Sequence, residues 1–124
     1  MTRLFPAALL AASLCILVPQ AAPALDAEDL PNAIENAKTA ADHEALAAYF
    51  EGEAKAARSR AERHRRMSAL YGKYPKPSGT KGTRAPLSKA MPPHCDKLVA
   101  SEEAAAGEYD SMAAAHREMA AEGR

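Results

Sequence analysis

Large apolar side chains are scarce in this chain of 124 residues, which has no tryptophan and only two phenylalanines. Beyond residue 24, apart from Ile34, Phe50, Val99 and a few Leu, Met and Tyr, the apolar share is nearly all alanine. Alanine favours helix but buries little area, so each contributes little hydrophobic free energy. A lone two-helix hairpin built this way is marginal, and an oligomer is expected. Cysteine is nearly absent too: Cys15 lies in the N-terminal apolar run, leaving Cys95 without an internal partner. It is therefore a free thiol, an intermolecular bridge or a ligand. Ser59, Ser68, Ser101 and Ser111 lack a His–acid partner set and no glycine-rich phosphate cradle exists. No catalytic residue is nominated, and a non-enzymatic protein is expected. Nor does Lys+Arg exceed Asp+Glu: each totals 16.

The N-terminus supplies the first positive feature. Arg3, the uncharged and mostly apolar run Leu4 to Val18, and the small-x-small triplet Ala22-Pro23-Ala24 predict a signal peptide over residues 1–24. The run is short for a membrane span, and Leu14 before Cys15 argues against a lipoprotein. A periplasmic or secreted location after cleavage near Ala24 follows.

Within the remainder, the chain repeats at an offset of 52 residues. His43, Leu46, Ala54, Ala61 and His64-Arg65-Arg66-Met67 return, without a gap, as Cys95, Leu98, Ala106, Ala113 and His116-Arg117-Glu118-Met119. Such spacing indicates a duplicated helix. After an acidic segment, 25–38, in which Pro31 can start a short helical turn, Thr39 and Asp42 form a capping box for a helix over about 40–72. Gly72 and Pro75 stop it. A Pro/Gly-rich basic linker, 72–92, leads to Pro92 and Pro93, which suit the first turn of a second helix over about 93–121. His43, Phe50, Ala57, His64 and Tyr71 fall on one seven-residue line of the first helix. Cys95, Glu102, Tyr109 and His116 fall on one line of the second, flanked by Leu98, Ala105, Met112 and Met119. The fold class expected is all-α: an antiparallel two-helix hairpin over 39–121, an alanine-rich coiled coil, dimerising into a four-helix bundle.

Two sets of residues could carry chemistry. His64 with Met67, and His116 with Met112 and Met119, each share a helical face, and His94 with Cys95 adds a cluster at the start of the second helix. Imidazole, thioether and thiol together suit reduced copper; the competing reading is that Met fills gaps in the alanine seam. No Cys-x-x-Cys or His-x-x-x-His pair exists, and two ligands per cluster fall short of a zinc-type site. With Tyr71 facing Cys95, His64 lies opposite about Glu102 and His116 opposite about Phe50. That separates the two His–Met pairs by roughly 20 Å, so only an antiparallel dimer would unite them. The second set is Arg58, Arg60, Arg63, Arg65 and Arg66. They make the loop end basic and the open end acidic, and they point to an anionic envelope component or partner protein. Nucleic acid is not expected, because the chain looks exported and lacks an aromatic platform.

Asp42-His43-Glu44-Ala45-Leu46-Ala47 with His64-x-x-Met67, and His94-Cys95-Asp96-Lys97-Leu98 with His116-Arg117-Glu118-Met119, resemble a class of small exported bacterial α-helical hairpin proteins with helix-terminal His-x-x-Met motifs. That resemblance implies architecture and compartment, with no assigned activity. The sequence therefore reads as an exported, non-enzymatic interaction or structural protein of the bacterial cell envelope, with a periplasmic copper-binding protein as the alternative.

Overall fold

Thr39 and Asp42 set where the first long helix begins. In the computed structural model, which describes residues 24–73 and 87–123, Thr39 Oγ1 accepts the Asp42 amide at 3.2 Å. Asp42 Oδ2 accepts the amides of Thr39 at 2.9 Å and Lys38 at 3.0 Å. This reciprocal box satisfies amides that the first helical turn leaves without partners. The donors at Lys38 and Thr39 also hold the Asp42 carboxyl below its usual value.

Helix α2 then runs 33 residues, Ala40–Gly72, and closes where the Lys73 amide reaches Leu70 O at 3.1 Å. A short helix, α1 (Leu30–Asn36), precedes it with Pro31 in its first turn. After the undescribed residues comes α3 (Leu87–Ala90), a single turn within the segment that the sequence assigned to irregular linker. The Met91 amide bonds back to Leu87 O at 3.0 Å and leads into α4 (Pro92–Ala121), with proline in its first turn. The expectation had this helix starting at residue 93. Gly123 ends α4 at φ 73°, the left-handed conformation that glycine adopts without Cβ strain, and its amide bonds Ala120 O at 3.2 Å. The chain is all-helical in the described residues, with α2 and α4 packed along their length. None of these helices is long and apolar enough to cross a membrane. Residues 1–23, which hold most of the expected signal peptide, and residues 74–86 of the expected linker lie outside the described residues.

Two ring contacts fix direction and register. Phe50 stacks on Tyr109 at a centroid distance of 6.3 Å and on His116 at 5.6 Å. These residues are one heptad apart on α4, so Phe50 sits level with Ala113, which joins it in the core cluster with Leu46. Moving along α2 therefore means moving backward along α4, as the Arg60–Glu102 and Ser68–Asp96 contacts repeat further on. The helices are antiparallel, and the same register puts Ala57 level with Ala106.

Between them the seam is lined by alanine. Ala47, Ala54, Ala57 and Ala61 on α2 and Ala106 and Ala113 on α4 are all buried, and Leu46 is the largest side chain fully enclosed. Leu25, Leu30, Ala33 and Ala37 from the α1 region cover Leu46 and Phe50, giving the open end its only sizeable apolar cluster among the described residues. Side chains this short let the backbones approach closely, so stability comes from many small dispersion contacts. The weak point of such a seam is overpacking. Ala57→Leu should cost about 1–3 kcal/mol, while Ala114→Leu on the exposed face should change stability by less than about 0.5 kcal/mol. Urea denaturation of the two variants checks this.

Candidate functional site

The antiparallel register brings together two imidazoles from opposite ends of the repeat. His43, in the first turns of α2, is buried, and His116, near the end of α4, is half-buried. Their Nδ1 atoms meet at 3.1 Å and their rings stack at 5.3 Å with an interplanar angle of 26°. Phe50 lies on His116 as a nearly parallel plate, at 12°. Tyr49 meets Phe50 edge-on at 5.5 Å. An Nδ1–Nδ1 hydrogen bond needs one nitrogen protonated and the other bare, so the pair shares a single proton at this contact. Burial, and then the neighbouring charge of His43, hold the His116 imidazolium below its ordinary value. On the outside of this layer Arg117 pairs with Glu51 and lies 4.0 Å from Glu44.

The seven nominated metal ligands are not all gathered into one place. His64 is half-buried with its Nδ1 enclosed and without a hydrogen-bond partner among the described residues. Met67, three residues on, lines a groove on the outer face of α2 with Lys55, Arg58, Ser59, Glu62, Arg63, Arg66 and Leu70. His94 is exposed at the start of α4, whereas Cys95 beside it is a free thiol only 2% exposed. Met112 is 44% exposed and Met119 half-buried. His116 has its Nδ1 engaged by His43. Among the described residues, no group of three or more His, Cys, Asp or Glu side chains converges as a metal site would.

The basic segment is largely spent within the molecule. Arg58 pairs with Asp110, Arg60 Nε with Glu102 at 2.9 Å, and Arg65 with Glu103. Arg66 Nε pairs with Glu62 at 3.0 Å on the same helix. Of the five arginines, Arg63 alone has no ion pair among the described residues. Three of these pairs cross from α2 to α4 and, with Arg117–Glu51, form a ladder along the seam. Three of the four are well exposed and the Arg60–Glu102 pair is half-buried, so each contributes little alone; together they favour this register over a shifted one.

His43 is the residue that sequence reasoning did not nominate. The signal was present in the repeat, which matches His43 to Cys95 and His64 to His116. In an antiparallel pair of equivalent helices, the start of one lies beside the end of the other. No family model, curated protein or solved structure matches the chain.

The shared proton makes the open end acid-sensitive. Because His116 binds its proton less readily when folded than unfolded, its contribution is intact above the ordinary histidine value of about 6.5. It is lost as pH falls through the lower folded value. The melting temperature should therefore drop on acidification from pH 7 toward 5. His116→Phe, which keeps the stack on Phe50 without a titrating group, should flatten that dependence in a thermal-melt series.

Proposed function

We propose that the chain is an exported, non-enzymatic interaction protein of the bacterial cell envelope that works as an antiparallel dimer of hairpins, a four-helix bundle. The observation that carries this reading is an unpartnered apolar line along α4. Leu98, Ala105, Met112 and Met119 recur every seven residues, with Leu98 46% and Met112 44% exposed. An apolar line at this spacing is the signature of a helix that packs on another helix. α2 already occupies the neighbouring face, through Cys95, Ala106 and Ala113.

Charge favours a second copy as the occupant. Among the described residues without an ion pair, Arg63, Lys73, Lys89 and Lys97 outnumber Asp96 at the loop end, and Asp26, Glu28, Asp29, Glu35 and Glu118 outnumber Lys38 at the open end. Placing two hairpins antiparallel sets each basic end against an acidic one. The small alanine core supports the same reading, because burying Leu98 and Met112 adds apolar area that the single hairpin lacks. Export is supported by the N-terminal pattern Arg3, Leu4 to Val18 and Ala22-Pro23-Ala24. The resemblance to exported helical hairpin proteins agrees with it.

Sedimentation of the mature chain, produced by export from a bacterial host, tests the proposal. A dimer at micromolar concentration that weakens with added salt is expected. Leu98→Glu combined with Met112→Glu should give a folded monomer with unchanged helical circular dichroism. A wild-type monomer at the same concentration would overturn the dimer.

A further inference from the structure

The duplicated sequence and the antiparallel packing together relate α2 and α4 by an approximate twofold rotation. Under it the contact between His43 and His116 has a counterpart at the other end of the seam, where Cys95 stands for His43 and His64 for His116. We propose that Cys95 and His64 bind one soft monovalent cation of the copper(I) class between the two helices of each hairpin.

Three observations carry this beyond the sequence motif. Cys95 is 2% exposed and free, so its sulfur sits in the seam and not on the surface. His64 Nδ1 is enclosed and has no hydrogen-bond partner among the described residues. An imidazole nitrogen enclosed without a partner is unfavourable, and a bound ligand would relieve it. Its repeat equivalent, His116 Nδ1, is engaged across the seam by the residue equivalent to Cys95. The third observation is Met91, half-buried one turn before Cys95, whose carbonyl accepts the Cys95 amide at 3.1 Å. At that spacing its thioether lies on the same helical face as the thiol.

The donor set and the surroundings select the ion. Thiolate and thioether favour copper(I) over magnesium or calcium, and tetrahedral zinc needs more ligands than the described residues offer. Copper(I) is satisfied by two ligands in line or three in a plane. Binding forms the S–metal and N–metal bonds and releases the thiol proton to water, so the cation and the thiolate sum to zero charge. A neutral complex enters an apolar seam at far less cost than a divalent ion would. The His43–His116 layer has no thiol and cannot form the neutral complex, which makes it an internal control. This site lies within one hairpin and stands or falls separately from the dimer.

The full chain, reduced and anaerobic, is titrated with copper(I) against a chromophoric copper(I) chelator. Uptake of one ion per chain is expected, with a near-ultraviolet thiolate-to-copper band and release of one proton per ion. Cys95→Ser should abolish band and uptake. His64→Leu, and His64→Gln as a variant that keeps a polar side chain, should weaken binding at least tenfold, while His43→Phe should leave it unchanged. Circular dichroism confirms that each variant is helical. No uptake by the wild-type chain, uptake that survives Cys95→Ser or both His64 variants, or one ion per two chains would overturn the proposal.

Discussion

The side chains between α2 and α4 are short enough to let the two backbones approach closely, and that constraint governs the rest of this molecule. Alanine at Ala47, Ala54, Ala57, Ala61, Ala106 and Ala113 meets it. The consequence is a seam with little apolar volume and correspondingly little hydrophobic driving force. The bulky apolar cluster lies at one end. Phe50, Leu46 and Tyr109, capped by Leu25 and Leu30 from the α1 region, gather at the open end. The loop end of the described seam has the thiol of Cys95 and the imidazole of His64 in place of a comparable apolar cluster.

An alanine seam is also permissive about register, since one alanine resembles the next. Specificity has to come from elsewhere, and the structure shows two sources. The ring stack that holds Phe50 between Tyr109 and His116 admits one axial setting, because a shift by a heptad would put Phe50 against Glu102. The ion pairs Arg58–Asp110, Arg60–Glu102, Arg65–Glu103 and Arg117–Glu51 are individually weak but agree on that same setting. Three of the five arginines that in the sequence form a basic patch thus also help align the two helices.

Much of the architecture was legible because local chemistry marks it. Thr39 and Asp42 announce the start of α2, and Pro92 and Pro93 the start of α4, without reference to anything distant. The position of His116 opposite Phe50 also followed from helical spacing and the antiparallel connection. The partnership of His116 with His43 did not, because a residue on one helix lies between two on the other. Which neighbour it engages depends on side-chain direction and not on spacing alone. For the same reason Met67 and Met112, three and four residues from their histidines, shared a face on paper but sit in an outer groove or at the exposed surface. The α3 turn was missed because four residues between prolines carry no periodic signal. The charge zones were visible, but the pairing of three of the five arginines with α4 required both helices in place.

The claim on which everything above depends is the antiparallel register set by Phe50, Tyr109 and His116. The most direct measurement is a proton nuclear Overhauser spectrum of the aromatic side chains, with isotope filtering to separate contacts within a chain from contacts between chains. Intrachain cross-peaks from the Phe50 ring to both Tyr109 and His116, and from His43 to His116, are expected. Cross-peaks from Phe50 to Val99 or Glu102, or the absence of any contact between α2 and α4 within one chain, would contradict the register and with it the His43–His116 layer and the proposed His64–Cys95 site.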